Sequence, residues 1–126
     1  MTEKTQDEIA GQFVDRPWGS YRILEVGKNF KVKNLTVLPE HRLSLQLHHH
    51  RSENWVVVTG LAMVNIGDKE FFIRKGECTF IPMGEKHRLA NPGRLPLQVI
   101  EVQIGEILSE TDIVRFEDDY RSITYQ

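Results

Sequence analysis

The sequence predicts an all-β domain of short strands, packed as a sandwich or closed into a double-sheet barrel. Two observations predict this fold class. From Phe13 onward, short apolar runs alternate with clusters of Gly, Pro, Asn and Asp, the pattern of strands separated by tight turns. The runs recur at a spacing that yields eight or so strands, and closing such a set of strands removes exposed sheet edges.

The elements follow in order. Residues 1–12 are polar and form a flexible N-terminal segment or a short helix beginning at Thr5. Residues 13–126 form a single domain. Strands are expected over Gly19–Val26, Phe30–Leu38, Leu43–His50, Asn54–Thr59, Ala62–Ile66, Lys69–Arg74, Cys78–Ile81, His87–Ala90 and Leu97–Gly105. They are separated by Gly27-Lys-Asn, Pro39-Glu-His, Thr59-Gly60, Gly67-Asp68, Lys75-Gly76, Pro82-Met-Gly84 and the run Asn91 to Pro96. Ile66-Gly-Asp-Lys69 is a tight hairpin signal. The tail, Ser109–Tyr120, lacks strict alternation and reads as a helical turn or an edge segment.

At 126 residues the chain is one domain, long enough for a real core. Its net charge of −2 comes from 16 basic and 18 acidic residues spread along the sequence, which argues against nucleic acid or an anionic membrane as the main partner. No apolar run approaches the roughly 20 residues of a membrane span. The polar start is no signal peptide, so the cytoplasm is the expected location. Cys78 is the only cysteine, which excludes an internal disulfide. Its apolar setting, Cys-Thr-Phe-Ile, reads as a buried, inert thiol.

His48, His49 and His50 supply three of the five histidines, and Glu53 follows. Side chains alternate faces along a strand. One face of Leu43–His50 then carries Leu43, Leu45, Leu47 and His49, and the other carries Ser44, Gln46, His48 and His50. A wholly polar face turned into a barrel needs partners, because unpaired buried polar groups are costly. A metal ion is such a partner, and imidazole and carboxylate suit first-row divalent ions. His48, His50, Glu53 and His87 are the expected ligands of one divalent metal. His49 is expected near the site's periphery or exposed, and His41 solvated. Gln46 is a further ligand, a substrate contact or a hydrogen-bonded core amide.

These residues fall into two clusters that resemble the paired motifs of the cupin superfamily. Its metal ligands are two His and a Glu from the first motif and a His from the second. Gly76, Pro82, Gly84, His87 and Asn91 fit the second motif at every position. In the first, cupins place three or four residues between the second His and the Glu, whereas only Arg51 and Ser52 separate His50 from Glu53. Glu53 does stand seven residues before Gly60, as that motif requires. The resemblance implies a cupin-type double-stranded β-helix, a jelly-roll barrel.

Longer strings are similar to one cupin branch, the type II mannose-6-phosphate isomerases. They include Arg16-Pro-Trp-Gly-Ser-Tyr21, Leu43-Ser-Leu-Gln-Leu-His-His-His-Arg51, Glu53-Asn-Trp55, Ile81-Pro-Met-Gly84, His87-Arg-Leu-Ala-Asn-Pro-Gly93 and Asp112-Ile-Val-Arg115. This branch occurs alone or as the C-terminal domain of bifunctional guanylyltransferase/isomerase enzymes. No nucleotidyltransferase sequence precedes the strings, so the isomerase activity alone is expected. The chain departs from the branch at Asn54, where His is common, and at Tyr120-Arg121, where a Gly usually intervenes.

The resemblance implies interconversion of mannose 6-phosphate and fructose 6-phosphate through a cis-enediol. The implied cofactor is one divalent ion, zinc first, with manganese, cobalt, nickel or iron as alternatives. It also implies a homodimer. Such chemistry needs a polarised carbonyl, a base near C1 and C2, and cations for phosphate. Glu101, flanked by apolar residues in a late strand, is the candidate base, because burial raises a carboxylate's pKa. Gln103 shares its face. Lys33 is a candidate phosphate or enediolate contact. Arg51 and Arg88 adjoin proposed ligands as phosphate-binding or catalytic cations or as ion-pair partners of acidic neighbours, and Arg16 and Arg42 are further cations for substrate. Trp18 and Trp55 are expected in the core or at a dimer contact. Two other classes remain open from the residues: a non-catalytic sugar-phosphate or sugar-nucleotide binding module, and another metal-dependent cupin enzyme such as an iron dioxygenase.

Overall fold

The computed structural model describes residues 8–120. The strands are β1 (Phe13–Arg16), β2 (Gly19–Gly27), β3 (Phe30–Val37), β4 (Leu45–His48), β5 (Arg51–Thr59), β6 (Leu61–Ile66), β7 (Lys69–Arg74), β8 (Cys78–Ile81), β9 (His87–Ala90), β10 (Leu97–Gly105) and β11 (Ile113–Glu117). They form two antiparallel sheets, ordered β1-β2-β3-β10-β5-β8 and β11-β4-β9-β6-β7. The fold is all-β, as the turn-punctuated apolar runs predict. No helix among the described residues is long and apolar enough to cross a membrane.

Most strand positions agree with the sequence pattern to within a residue or two. Phe13–Arg16 was not expected as a strand. It pairs along its length with Gly19–Arg22, so its ladder comes from a hairpin partner rather than from its own apolar content. The tail contains both features proposed for it: a 3-10 turn at Glu110–Asp112 capped by Ser109, then the edge strand β11. The helix considered at Thr5 and most of the flexible N-terminal segment lie outside the described residues, as does Arg121.

The inner face of the larger sheet is arranged in rungs. Val37 faces Leu97, and Leu35 faces Val99, which faces Val57. These side chains are at most 3% exposed and join Trp18, Tyr21, Ile23, Trp55 and Ile81 in the core. Each fully buried Leu or Val contributes roughly 1.5–3 kcal/mol. Further along the same strands the rungs become polar. Lys33 faces Glu101, which faces Trp55; Lys31 faces Gln103, which faces Glu53. The apolar end closes the barrel and the polar end is its site.

Two glycines shape the edges of this arrangement. Gly67 takes φ +59° in the two-residue hairpin that joins Ile66 to Lys69, a conformation that favours glycine. Gly105 ends β10 beside Arg51, where a Cβ would collide with the His50 carbonyl oxygen and the Arg51 backbone. Its small size lets β10 run flush against the start of β5.

Cys78 is exposed, contrary to the buried thiol expected. Its neighbours Thr79 and Ile81 pair with the inward residues Trp55 and Glu53, so the two-residue period turns Cys78 and Phe80 outward. The apolar context reflects an outer sheet face on which Val56, Phe80 and Ile104 are also exposed.

Candidate metal centre and catalytic cavity

β4 carries Gln46 and His48 on one face, and Gln46 lies directly opposite His87 on β9. Glu53 projects from β5 in the facing sheet. His48, Glu53 and His87 are at most 3% exposed, and one donor atom from each lies within 4.8 Å of the others. The His48 and His87 rings sit 5.1 Å apart, and His48 Nε2 is 3.3 Å from Glu53 Oε2.

The two rings are oriented by carbonyl groups. His48 Nδ1 lies 3.2 Å from the Asp112 carbonyl oxygen, and His87 Nδ1 lies 3.0 Å from that of Glu85. Each Nδ1 therefore carries the proton and donates it, leaving the Nε2 lone pair as ligand. Burial pushes the His87 pKa down, against the Glu85 carbonyl hydrogen bond, which favours the neutral form that binds metals.

His50 stands apart from this cluster. Its side chain is 53% exposed. Both its backbone N and its Nδ1 lie 2.9 Å from the Asp112 carboxylate. The assignment of His50 to the ligand face extended the alternation of β4 past its end. The strand stops at His48, residues 49 and 50 form the bend that carries the chain from one sheet to the other, and β5 starts afresh at Arg51. Crossing between sheets resets the parity. His49 is exposed, as expected. His41 is only partly buried, bonded to the Pro39 carbonyl and stacked on Tyr120.

Without His50, the first-motif spacing becomes regular. Gln46-x-His48, four residues, Glu53, six residues, Gly60 has the His-to-Glu interval of the cupin pattern, with Gln46 at the place of the first His. Gln46 lines the cavity, and its amide donates to Ser44 Oγ at 3.0 Å.

Arg51 is buried and its guanidinium is committed. Nε donates to Glu53 Oε2 at 3.0 Å, Nη2 donates to His48 Nε2 at 3.1 Å, and Nη1 reaches the Leu108 carbonyl at 3.3 Å. The expected phosphate role does not match this placement. Arg88 lines the cavity but is bound by the Leu43 carbonyl and by Glu117. Arg42 lies outside the cavity lining, in a half-exposed bidentate pair with Asp119. Its place at the barrel rim follows from the isolated bridge it makes with Ala90.

Glu101 and Gln103 face the cavity and are 6% and 1% exposed. Trp55 Nε1 lies 3.1 Å from both Glu53 Oε1 and Glu101 Oε2, and the Gln103 amide donates to Glu101 Oε1 at 2.8 Å. Burial, reinforced by the neighbouring Glu53 charge, raises the Glu101 pKa to about 7 against the opposing pull of Lys33. Gln103 Oε1 is the one buried side-chain polar atom among the described residues that lacks a hydrogen-bond partner. It is an open acceptor beside a carboxyl group poised to exchange a proton near neutrality.

The sequence reading passed over Asp112, which fastens the bend and caps His48, and Lys31, which points inward beside Lys33. For Lys31 the signal was available: in Lys31-Val-Lys33 the two lysines share the face that continues through Leu35 and Val37. Asp112 enters only as the start of the string Asp112-Ile-Val-Arg115, which does not disclose its role because its contacts to His48 and His50 are long-range.

Residues 3–118 match the family model described as mannose-6-phosphate isomerase C-terminal. The chain belongs to this family. It is 54% identical over 107 residues to the xanthan biosynthesis protein XanB of Xanthomonas campestris pv. campestris, covering 85% of this chain and 23% of that protein. It is also 54% identical over 107 residues to the alginate biosynthesis protein AlgA of Pseudomonas aeruginosa, covering 85% and 22%. The mannose-1-phosphate guanylyltransferase ManC of Salmonella typhimurium is 49% identical, with 85% and 22% covered. The chain thus spans less than a quarter of the length of these curated relatives. Among solved structures, the capsular polysaccharide assembling protein CapF from Staphylococcus aureus superposes with a TM-score of 0.74 at 20% identity, covering 84% of this chain and 32% of that one. The Schizosaccharomyces pombe Cnp3 cupin domain gives 0.66 at 13%, covering 68% and 64%. At those identities the structures establish the cupin fold.

Asn54, where the chain departs from the branch, pairs with Val102 and Phe80 on the outer face of the sheet, between the inward residues Glu53 and Trp55. The departure lies away from the cavity.

Proposed function

We propose that the chain is a metal-dependent sugar-phosphate isomerase that interconverts mannose 6-phosphate and fructose 6-phosphate. The observation that carries this reading is the single Trp55 indole N–H shared by Glu53, in the donor cluster, and Glu101. It puts a carboxyl group titrating near neutrality next to a site built for a cation.

The residues fit a divalent ion. Two neutral imidazoles with capped Nδ1 atoms and one carboxylate converge, Gln46 stands beside them, and a guanidinium already lies across two of the donors. His48, Glu53 and His87 would hold the ion, with the Gln46 amide oxygen as a further donor. When bound, the ion supplies polarisation of the substrate carbonyl.

Glu101 takes the proton from one of the two reacting carbons and returns it to the other, while the hydroxyl proton passes between the adjacent O1 and O2 of the cis-enediol. Its raised pKa suits both halves of that exchange. Trp55 and Gln103 fix the carboxylate by donating to each of its oxygens, and the unpartnered Gln103 Oε1 accepts from a substrate hydroxyl. Lys33, on β3 opposite Glu101, brings a cation to the phosphate end of the substrate. Apolar walls formed by Leu35, Leu43 and Trp18 limit water around the reacting carbons. A homodimer belongs to the same proposal.

The test is turnover of mannose 6-phosphate by the purified chain loaded with zinc, manganese or cobalt, read as fructose 6-phosphate formed. Folded, metal-loaded protein that forms none would refute the isomerase reading.

A further inference from the structure

Resting on the sugar-phosphate reading above, we propose that Tyr21, Lys31 and Lys33 form the seat for the substrate's phosphoryl group, and that the Glu8 carboxylate fills this seat in the free protein. Glu8 Oε1 lies 2.5 Å from Lys31 Nζ and 3.7 Å from Lys33 Nζ, and Tyr21 OH donates to Glu8 Oε2 at 2.9 Å. The two lysines are 5% and 4% exposed. They project from the same face of β3, two residues apart, with Lys33 Nζ 4.3 Å from the Tyr21 ring centroid.

Burying two ammonium groups side by side is costly unless an anion accompanies them. One carboxylate brings a single charge and two acceptor oxygens. A phosphoryl group brings close to two charges and three acceptor oxygens, which matches two ammoniums and a phenol better. The Glu8 carboxylate thus stands in for a ligand of greater charge.

The position suits a hexose phosphate. In the sheet, Lys31 lies across from Gln103 and Gln103 across from Glu53; Lys33, Glu101 and Trp55 form the adjacent rung. The seat on β3 and the donor cluster on β5 are therefore two strand spacings apart, roughly 9–10 Å, with Glu101 and Gln103 between them. A six-carbon phosphate ester laid across the three strands puts its phosphate on β3 and its carbonyl carbons over β10.

The segment bearing Glu8 is lightly held. Ile9 is 63% exposed, and Ala10 and Gly11 are exposed as well. Among the described residues, backbone bonds to Ile23 begin at Gly11 and Gln12, and Ile9 is tied to Gln12 by two bonds of 3.2 Å. Among residues 8–11 no apolar side chain is buried, and the Glu8 contacts to the two ammoniums and the Tyr21 hydroxyl are ones for which a more highly charged anion competes.

Inorganic phosphate titrated calorimetrically into the metal-free 126-residue chain tests this directly. Glu8→Gln should bind phosphate at least about tenfold more tightly than wild type, since a charge-assisted competitor is lost. The gain should vanish in Glu8→Gln/Lys31→Gln. Unchanged or weaker phosphate binding by folded Glu8→Gln overturns the proposal. Should that variant fail to fold, phosphate titrated into labelled wild type should shift the Ile9, Ala10 and Gly11 amide resonances, and unmoved resonances overturn it equally. These arms do not depend on catalysis. Tighter phosphate binding without turnover supports the seat and refutes the isomerase reading; turnover without tighter binding refutes the seat alone.

Discussion

Arg51 donates from Nη2 to Nε2 of His48 across 3.1 Å, so a guanidinium occupies the lone pair a metal ion would take. The same side chain reaches Glu53 Oε2 from Nε. It is the counter-ion of the donor cluster, and an ion bound at His48 Nε2 would require its withdrawal. Arg51→Met should therefore bind zinc more tightly, by about tenfold where one charge-assisted hydrogen bond no longer competes. The metal-free variant should be less stable by about 3 kcal/mol, the scale for a buried ion pair that loses one partner. Chelator competition and urea unfolding measure the two effects. Weaker zinc binding would make Arg51 a support for Glu53 rather than a competitor.

His48→Ala and His87→Ala should each strip most of the metal, whereas His50→Ala should retain it. The distinction follows from burial: His48 and His87 are 2% and 3% exposed, and His50 faces solvent beside Asp112. Losing the His50 contact should cost about 1 kcal/mol by loosening the bend, the usual value of one hydrogen bond. Metal content by mass spectrometry separates the three variants.

Glu101→Gln should keep its metal and fold but lose turnover by about 100-fold or more, the usual range for a general base. Gln cannot accept the proton yet preserves the shape between Trp55 and Gln103. A variant with the wild-type rate would remove Glu101 from the mechanism.

Glu101 also sets a pH dependence on the metal-free fold. Its pKa rises from 4.5 to about 7 through burial and the Glu53 charge. Between those values the folded chain holds a proton that the unfolded chain has released. Stability from this group is therefore full below about 4.5 and falls as pH rises to about 7, by on the order of 3 kcal/mol. His87, lowered by burial, acts in the opposite sense and loses stability as pH falls below its ordinary value. Urea unfolding of wild type and Glu101→Gln across this range isolates the Glu101 part, and parallel curves would contradict its raised pKa.

Much of the fold was readable because a two-residue period and Gly-rich breaks are local. Lys69–Arg74, Cys78–Ile81, His87–Ala90 and Leu97–Gly105 fall where the pattern puts them. Glu101 was recognisable because a carboxylate between Val99 and Val102 is out of place on a solvated strand. Local pattern fails where the chain changes sheets. His50 follows His48 by two residues but belongs to a bend, so alternation assigned it to the wrong face. Pattern also cannot see partners: Arg42, Arg51 and Arg88 looked alike as cations, and only tertiary contacts show that Asp119, Glu53 and Glu117 hold them. Cys78 and Phe80 sit in apolar sequence on an outward face, where composition gives no sign of direction.

His48, Glu53 and His87 should hold one cation inside the barrel. Anomalous diffraction from crystals of the zinc-loaded chain measures it directly. One peak should lie within about 2.0–2.2 Å of both Nε2 atoms and a Glu53 oxygen, with the Arg51 guanidinium displaced. A peak at His50 and Asp112, or none between the two buried imidazoles, would contradict it.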